Sequence, residues 1–178
     1  MTGHRREWAL ALLGTSLYFS FTYAWNSLAA VITLVTSDLG LSSFQTGIVL
    51  GTVALTIFFT WPVVGPWVER VGPARAMGLG VVVLGVAGMA RAAVETFPGL
   101  VLAMVVVSLG GSTVTYGLPS VVSSWFSPER SGTPLGVVSV GATLGTVLSF
   151  DTMPAVVDAV GGWRLALVVS GVPAVLTG

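Results

Sequence analysis

Asp151 is the one acid standing inside an apolar passage of this chain, and an ionisable group there points to coupling of a proton or a charged solute. Counted from Gly132 it lies about 28 Å along its helix, near a membrane boundary, where hydration alone would also account for it. Three stripes of hydroxyls and amides could contact a polar solute. Thr15, Tyr18, Thr22, Asn26 and Thr33 fall within about 80° of one another at 100° per residue, and Tyr23 sits beside Asn26. Thr113, Tyr116 and Ser120 follow helical spacing, as do Ser139, Thr143 and Thr146. The same groups would equally serve hydrogen bonds between helices, worth about 0.6 kcal/mol each. Catalytic chemistry has little to work with. His4 is the only histidine and lies in the N-terminal tail, and cysteine is absent. That excludes thiol nucleophiles, thiolate metal sites and a histidine-based centre in the apolar passages. No metal, cofactor or enzymatic reaction is expected.

These residues sit in a chain of 178 residues that is 54% hydrophobic and 8% charged. The mean hydropathy is +0.94. Seven acids and seven arginines cannot cover a soluble domain of this length, so a soluble enzyme and intrinsic disorder are both excluded. The net charge is zero with no basic block, which leaves nucleic acid no electrostatic footprint. The partner implied is a lipid bilayer.

Charges divide the chain into six apolar passages, each near the length of a membrane helix. They run from Trp8 to Ser37, Leu39 to Val68, Arg75 to about Ala93, Phe97 to about Trp125, Gly132 to about Val156, and Trp163 to Gly178. Short polar turns join them, with Ser42 or Ser43 as a helix N-cap and a turn from Asp158 to Arg164. Residues 1–7 are read as a tail and 8–178 as one bundle. Arg5, Arg6, Arg70, Arg75 and Arg130 fall on one side, Arg91 and Arg164 on the other. The positive-inside rule then puts the N-terminus in the cytoplasm of a multi-pass protein of the cell membrane. The last passage spans 16 residues, about 24 Å, and reads as cut short. Pro62, Pro119, Pro134 and Pro154 lie within or at the ends of passages, as prolines often do in membrane helices.

Shifted by 89 residues, the chain repeats the pattern Val-acid-x-Val-Gly-x-x-Arg: Val68-Glu69, Val71-Gly72 and Arg75 fall on Val157-Asp158, Val160-Gly161 and Arg164. The shift crosses three helices, so the copies (8–94 and 97–178) would be inverted. Inverted three-helix repeats with a midplane site are a transporter plan.

The second loop, Gly65-Pro66-Trp67-Val68-Glu69-Arg70-Val71-Gly72-Pro73-Ala74-Arg75, resembles the signature loop of the major facilitator superfamily. Trp125 to Gly136, carrying Glu129 and Arg130, resembles the family's loop between helices four and five, and Gly162-Trp163-Arg164 its start of helix six. The family's aspartate is Glu69 here, and its basic pair after Gly72 is Pro73-Ala74. Gly141-Ala142-Thr143-Leu144-Gly145-Thr146 resembles the nitrate/nitrite porters, but Trp61 stands where those porters carry an arginine. Oxalate/formate and monocarboxylate-type branches fit equally.

The resemblance implies an all-α membrane fold of six helices, half of a twelve-helix carrier. It implies a gate at Gly65, Glu69, Arg70, Gly72 and Arg75, with the first and fourth helices lining a central cavity. Tyr18, Thr22, Asn26, Thr113, Tyr116, Ser120, Thr143 and Thr146 are then candidates for the solute wall, and Asp151 for coupling. The expected function is secondary transport of a small solute, with anions among the candidates and a coupling ion as a further partner. A second six-helix bundle would complete it, supplied by a missing half or another copy. A half-size carrier or channel working as a homodimer, and a non-transporting remnant, remain as alternatives.

Overall fold

The computed structural model describes residues 2–125 and 132–178. Among them the chain forms α1 (Thr2–Ala30), α2 (Ile32–Leu39), α3 (Ser43–Val71), α4 (Pro73–Ala90), α5 (Phe97–Trp125), α6 (Gly132–Val160) and α7 (Trp163–Thr177), with a single 3-10 turn at Arg91–Ala93. Four helices are long and apolar enough to cross a bilayer. The α1–α2 pair, bent by 49°, makes a fifth if read as one broken span. By this measure the described residues supply four spans, or five with the bent pair, where charge spacing gives six: α7 is apolar but only 15 residues long.

Local sequence accounts for most helix ends. Ser42 caps α3 as expected: its hydroxyl accepts from the Gln45 amide at 3.3 Å, and the Gln45 side chain accepts from the Ser42 amide at 2.9 Å. Gly72, at φ +97°, ends α3 and begins α4, and Pro73 follows at the first helical position. A side chain at Gly72 would strain that turn. The last connection is shorter than the expected turn at Asp158. Val156 to Val160 holds no breaker, so α6 continues to Gly161, whose φ of +79° stops it.

Packing pairs α1 with α6 and α4 with α5, while α3 leans on α5 and α7 lies against α4 and α1. One apolar cluster joins Leu17, Phe21, Met77, Leu84 and Leu118. A second joins Leu28 of α1, Val31 at the bend and Val35 of α2 to Val49 and Val53 of α3, and to Met104 and Leu167. Thr36 and Thr46 hydroxyls meet at 3.1 Å at that same end. Coverage is uneven. About half of each apolar window in α4 and α5 is buried, against 17% in α3 and 28% in α6.

Glycines divide into two groups. A Cβ on Gly141 would strike the Thr15 carbonyl, one on Gly145 the Thr22 hydroxyl, and one on Gly80 the Thr113 hydroxyl. Such residues let backbones approach where lipid provides no hydrophobic drive. Gly47, Gly51, Gly132 and Gly136 have open space instead. The regular glycine spacing on α6 thus serves the α1 contact only from Gly141 onward.

Candidate solute cleft and gate loop

The polar stripe of α1 meets α6 directly. Thr22 donates to the Ala142 carbonyl at 3.0 Å, and Asn26 Nδ2 donates to the Thr22 carbonyl at 2.8 Å and to Thr146 Oγ1 at 3.3 Å. Tyr23 and Thr152 hydroxyls lie 2.9 Å apart. Thr22, Asn26 and Thr146 are therefore brought together, with the Thr22 and Asn26 donors occupied at the helix seam and Thr146 accepting. Thr143 lies on the exposed side of α6, its hydroxyl 3.3 Å from the Ser139 carbonyl.

On α5 the expected stripe splits. Thr113 is buried, donates to the Gly110 carbonyl at 2.7 Å and abuts Gly80 of α4. Tyr116 turns toward α3, with its ring against Gly65: a Cβ there would lie 2.7 Å from the ring. Its hydroxyl donates to Glu69 Oε1 at 3.0 Å. Ser120 is half-buried one turn further on. Gly65 thus makes room for the Tyr116 ring between α3 and α5, and Gly72 turns the chain from α3 into α4. Arg70 and Arg75 project as exposed side chains on either side of Gly72. Glu129 and Arg130 lie outside the described residues.

A cleft of about 390 Å³ opens between α1 and α3, reached also by α5. Tyr18, Phe21 and Trp25 line it from α1, and Phe58 and Trp61 from α3. Thr22 and Thr115 add hydroxyls, and the Thr115 hydroxyl is engaged by the Gly111 carbonyl at 2.9 Å. Tyr18 stacks on Phe21 with centroids 5.8 Å apart, and Phe21 tilts against Trp25 at 5.1 Å. The cleft is one-sided: Phe58 is 72% exposed and Trp61 48%. Of the expected wall, Tyr18 and Thr22 reach it. The aromatic members went unremarked as a group, although Tyr18, Phe21 and Trp25 sit at i, i+3 and i+7, and Phe58 and Trp61 at i and i+3. Asp151 lies on the exposed side of α6, next to the Thr152 that meets Tyr23.

Two arginines counted as loop charges hold the opposite end together. Arg91 is fully buried. It donates to the carbonyls of Gly88 at 3.1 Å and Ala24 at 2.7 Å and to Ser27 Oγ at 3.1 Å, with Met104 Sδ at 3.7 Å. Arg164 donates from one nitrogen to the Ala92 and Val94 carbonyls, both at 2.8 Å, and pairs with Asp38 at 3.0 Å from the other. Its guanidinium also lies 4.4 Å over the Trp163 ring. This gathers the ends of α2, α4 and α7. Among the described residues, no group of three or more metal-ligating side chains is found.

A family model described as Major Facilitator Superfamily matches residues 14–178. The chain is 26% identical over 147 residues to the probable L-galactonate transporter of Escherichia coli (strain K12), covering 83% of this chain and 32% of that protein. It is 28% identical over 149 residues to a probable nitrate/nitrite transporter of Mycobacterium tuberculosis (strain ATCC 25618 / H37Rv), covering 82% and 37%. The chain thus spans about a third of the length of these relatives. Among solved structures, it resembles a bacterial homologue of the human lysosomal transporter Spinster, in an inward-facing and unoccupied conformation. The TM-score is 0.83 at 20% identity, over 96% of this chain and 41% of that one. At that identity the likeness carries the fold.

Proposed function

The chain belongs to the major facilitator superfamily, and on that premise we propose that it is the N-terminal half of a secondary active transporter for a small solute. The observation that carries the proposal is the one-sided cleft. Its aromatic lining stands open, and α3 and α6 are long apolar helices left mostly uncovered. A second six-helix bundle would close the cleft and cover those helices, and rocking of one bundle on the other would alternate access. On this reading the two three-helix repeats, 8–94 and 97–178, move as one body. Within it, α1, α3 and α5 carry the solute wall, with α6 packed on α1. The loop from Gly65 to Arg75, with Glu129 and Arg130, carries the gate, and Asp151 is the coupling group. Anions were among the solutes expected, yet no cation lines the described cleft.

The mass of the protein extracted from its own membranes tests the half-carrier reading. A chain well above 18.3 kDa, with further apolar passages, is the expected result. A chain of 18.3 kDa with two copies per particle would replace it with a pairing of identical bundles, and a single such chain would end it.

The location proposed is the cytoplasmic membrane with the N-terminus inside. These 178 residues hold no cysteine, so a cysteine placed among them is a new thiol in this half. Ala74→Cys should react with an impermeant maleimide only from the cytoplasmic face, and Glu95→Cys only from outside. The reverse pattern would invert the topology.

A further inference from the structure

The cleft's lining bears on what it takes, an inference that rests on the transport reading above. Charge is the first consideration. Arg91 is fully buried with its donors on Ala24, Ser27, Gly88 and Met104. Arg164 is spent on Asp38 and two carbonyls at the other end. Arg70 and Arg75 stand exposed at the gate loop. Arg6 precedes Tyr18 by twelve residues, about 18 Å of helix. No charged side chain lines the cleft among the described residues.

Surface chemistry is the second consideration. Five aromatic side chains from two helices meet there. Their ring faces carry negative electrostatic potential, which repels anions and attracts flat apolar groups and cations. Thr22 and Thr115 hydroxyls are engaged by backbone carbonyls. The Tyr18 hydroxyl makes no hydrogen bond to another residue among those described. A volume of about 390 Å³ suits a small organic molecule.

We propose that this cleft selects a flat organic solute that is neutral or positively charged, held by the aromatic faces of Tyr18, Trp25, Phe58 and Trp61 and oriented by the Tyr18 hydroxyl. An inorganic anion would find here neither a charge partner nor a free fork of donors.

The test is equilibrium binding to the native full-length gene product in lipid nanodiscs. The probes are tryptamine and benzamide as cationic and neutral rings, benzoate as the anionic ring, and nitrate as a small anion. At least one of the first two should bind tenfold or more tighter than benzoate, with nitrate weakest. Trp61→Ala should weaken that binding about tenfold, a difference of about 1.4 kcal/mol. Trp61→Phe, which keeps a ring, should retain most of it and so separates lost stacking from lost folding. If benzoate or nitrate binds as tightly as the other two, and loses affinity in Trp61→Ala, the substrate class is overturned while the transport reading stands. If no probe depends on Trp61 although the protein shows solute counterflow in liposomes, the cleft is not the site and the proposal falls. If counterflow is also absent for every solute tried, the transport reading falls with it.

Discussion

Tyr116 on α5 donates its hydroxyl to Glu69 Oε1 at 3.0 Å, across the bare backbone of Gly65 on α3. The acid of the signature loop is thereby tied to a helix of its own bundle. If gating requires Glu69 to take another partner, this bond must break, and it biases the equilibrium toward one state. Tyr116→Phe should change transport rate about threefold or more while moving the melting temperature by less than about 2 °C, because the contact is exposed. Glu69→Gln should then matter less in the Tyr116→Phe background than alone. Additive effects on rate in the double variant would dismiss the coupling.

The α1–α6 seam yields a paired prediction. A methyl on Gly145 would meet the Thr22 hydroxyl and, at 2.5 Å, the Phe19 carbonyl. The carbonyl is backbone and cannot yield without separating the helices. Gly145→Ala should cost about 1–3 kcal/mol, the usual range for overpacking. Gly47→Ala, with nothing within 4 Å, should leave stability unchanged or slightly raised by helix propensity. Thermal unfolding of both variants in one detergent decides it, and equal losses would contradict the packing.

That seam was legible from sequence because small residues and hydroxyls at helical spacing are local signals. The helix cap at Ser42 was legible for the same reason. Arg91 was not. An arginine at the end of an apolar passage reads as a solvated loop charge, and only the tertiary fold brings Ala24 and Ser27, more than sixty residues earlier, onto its guanidinium. The cleft was half legible. Tyr18 and Thr22 stood on a polar stripe, but Phe58 and Trp61 join them only because the bend at Val31 and α2 at Val35 meet α3 at Val49 and Val53, leaving a gap between α1 and α3. The stripe on α5 divides because Thr113 and Tyr116, though three residues apart, turn to different neighbours, α4 and α3.

Arg91 fills its site with both volume and donors. Arg91→Ala removes both, and should cost about 2–5 kcal/mol, the range for emptying a large core position. Arg91→Lys should also destabilise, since a single ammonium cannot serve the spread of acceptors on α1 and Gly88 that a guanidinium fork reaches. Arg91→Met keeps most of the volume without a buried charge and should cost least of the three. If lysine proved the best replacement, the charge would matter more than the fork, and the hydrogen-bond geometry would not be what holds α1.

Arg164 and Asp38 form the most exposed of these contacts, with side chains 37% and 48% accessible, so their attraction is screened. Asp38→Asn should therefore cost less than about 1 kcal/mol, and less still as ionic strength rises. Arg164 does more than pair with Asp38. It also donates to the carbonyls of the half-buried Ala92 and Val94. Arg164→Ala strips both carbonyls and the contact with Trp163, and should cost about 1–2 kcal/mol with little dependence on salt. Unfolding both variants across a salt series separates the two roles. Equal losses that vanish together at high salt would make the ion pair the whole of the interaction. A residual loss confined to Arg164→Ala makes the backbone contacts the part that ties α7 to the end of α4.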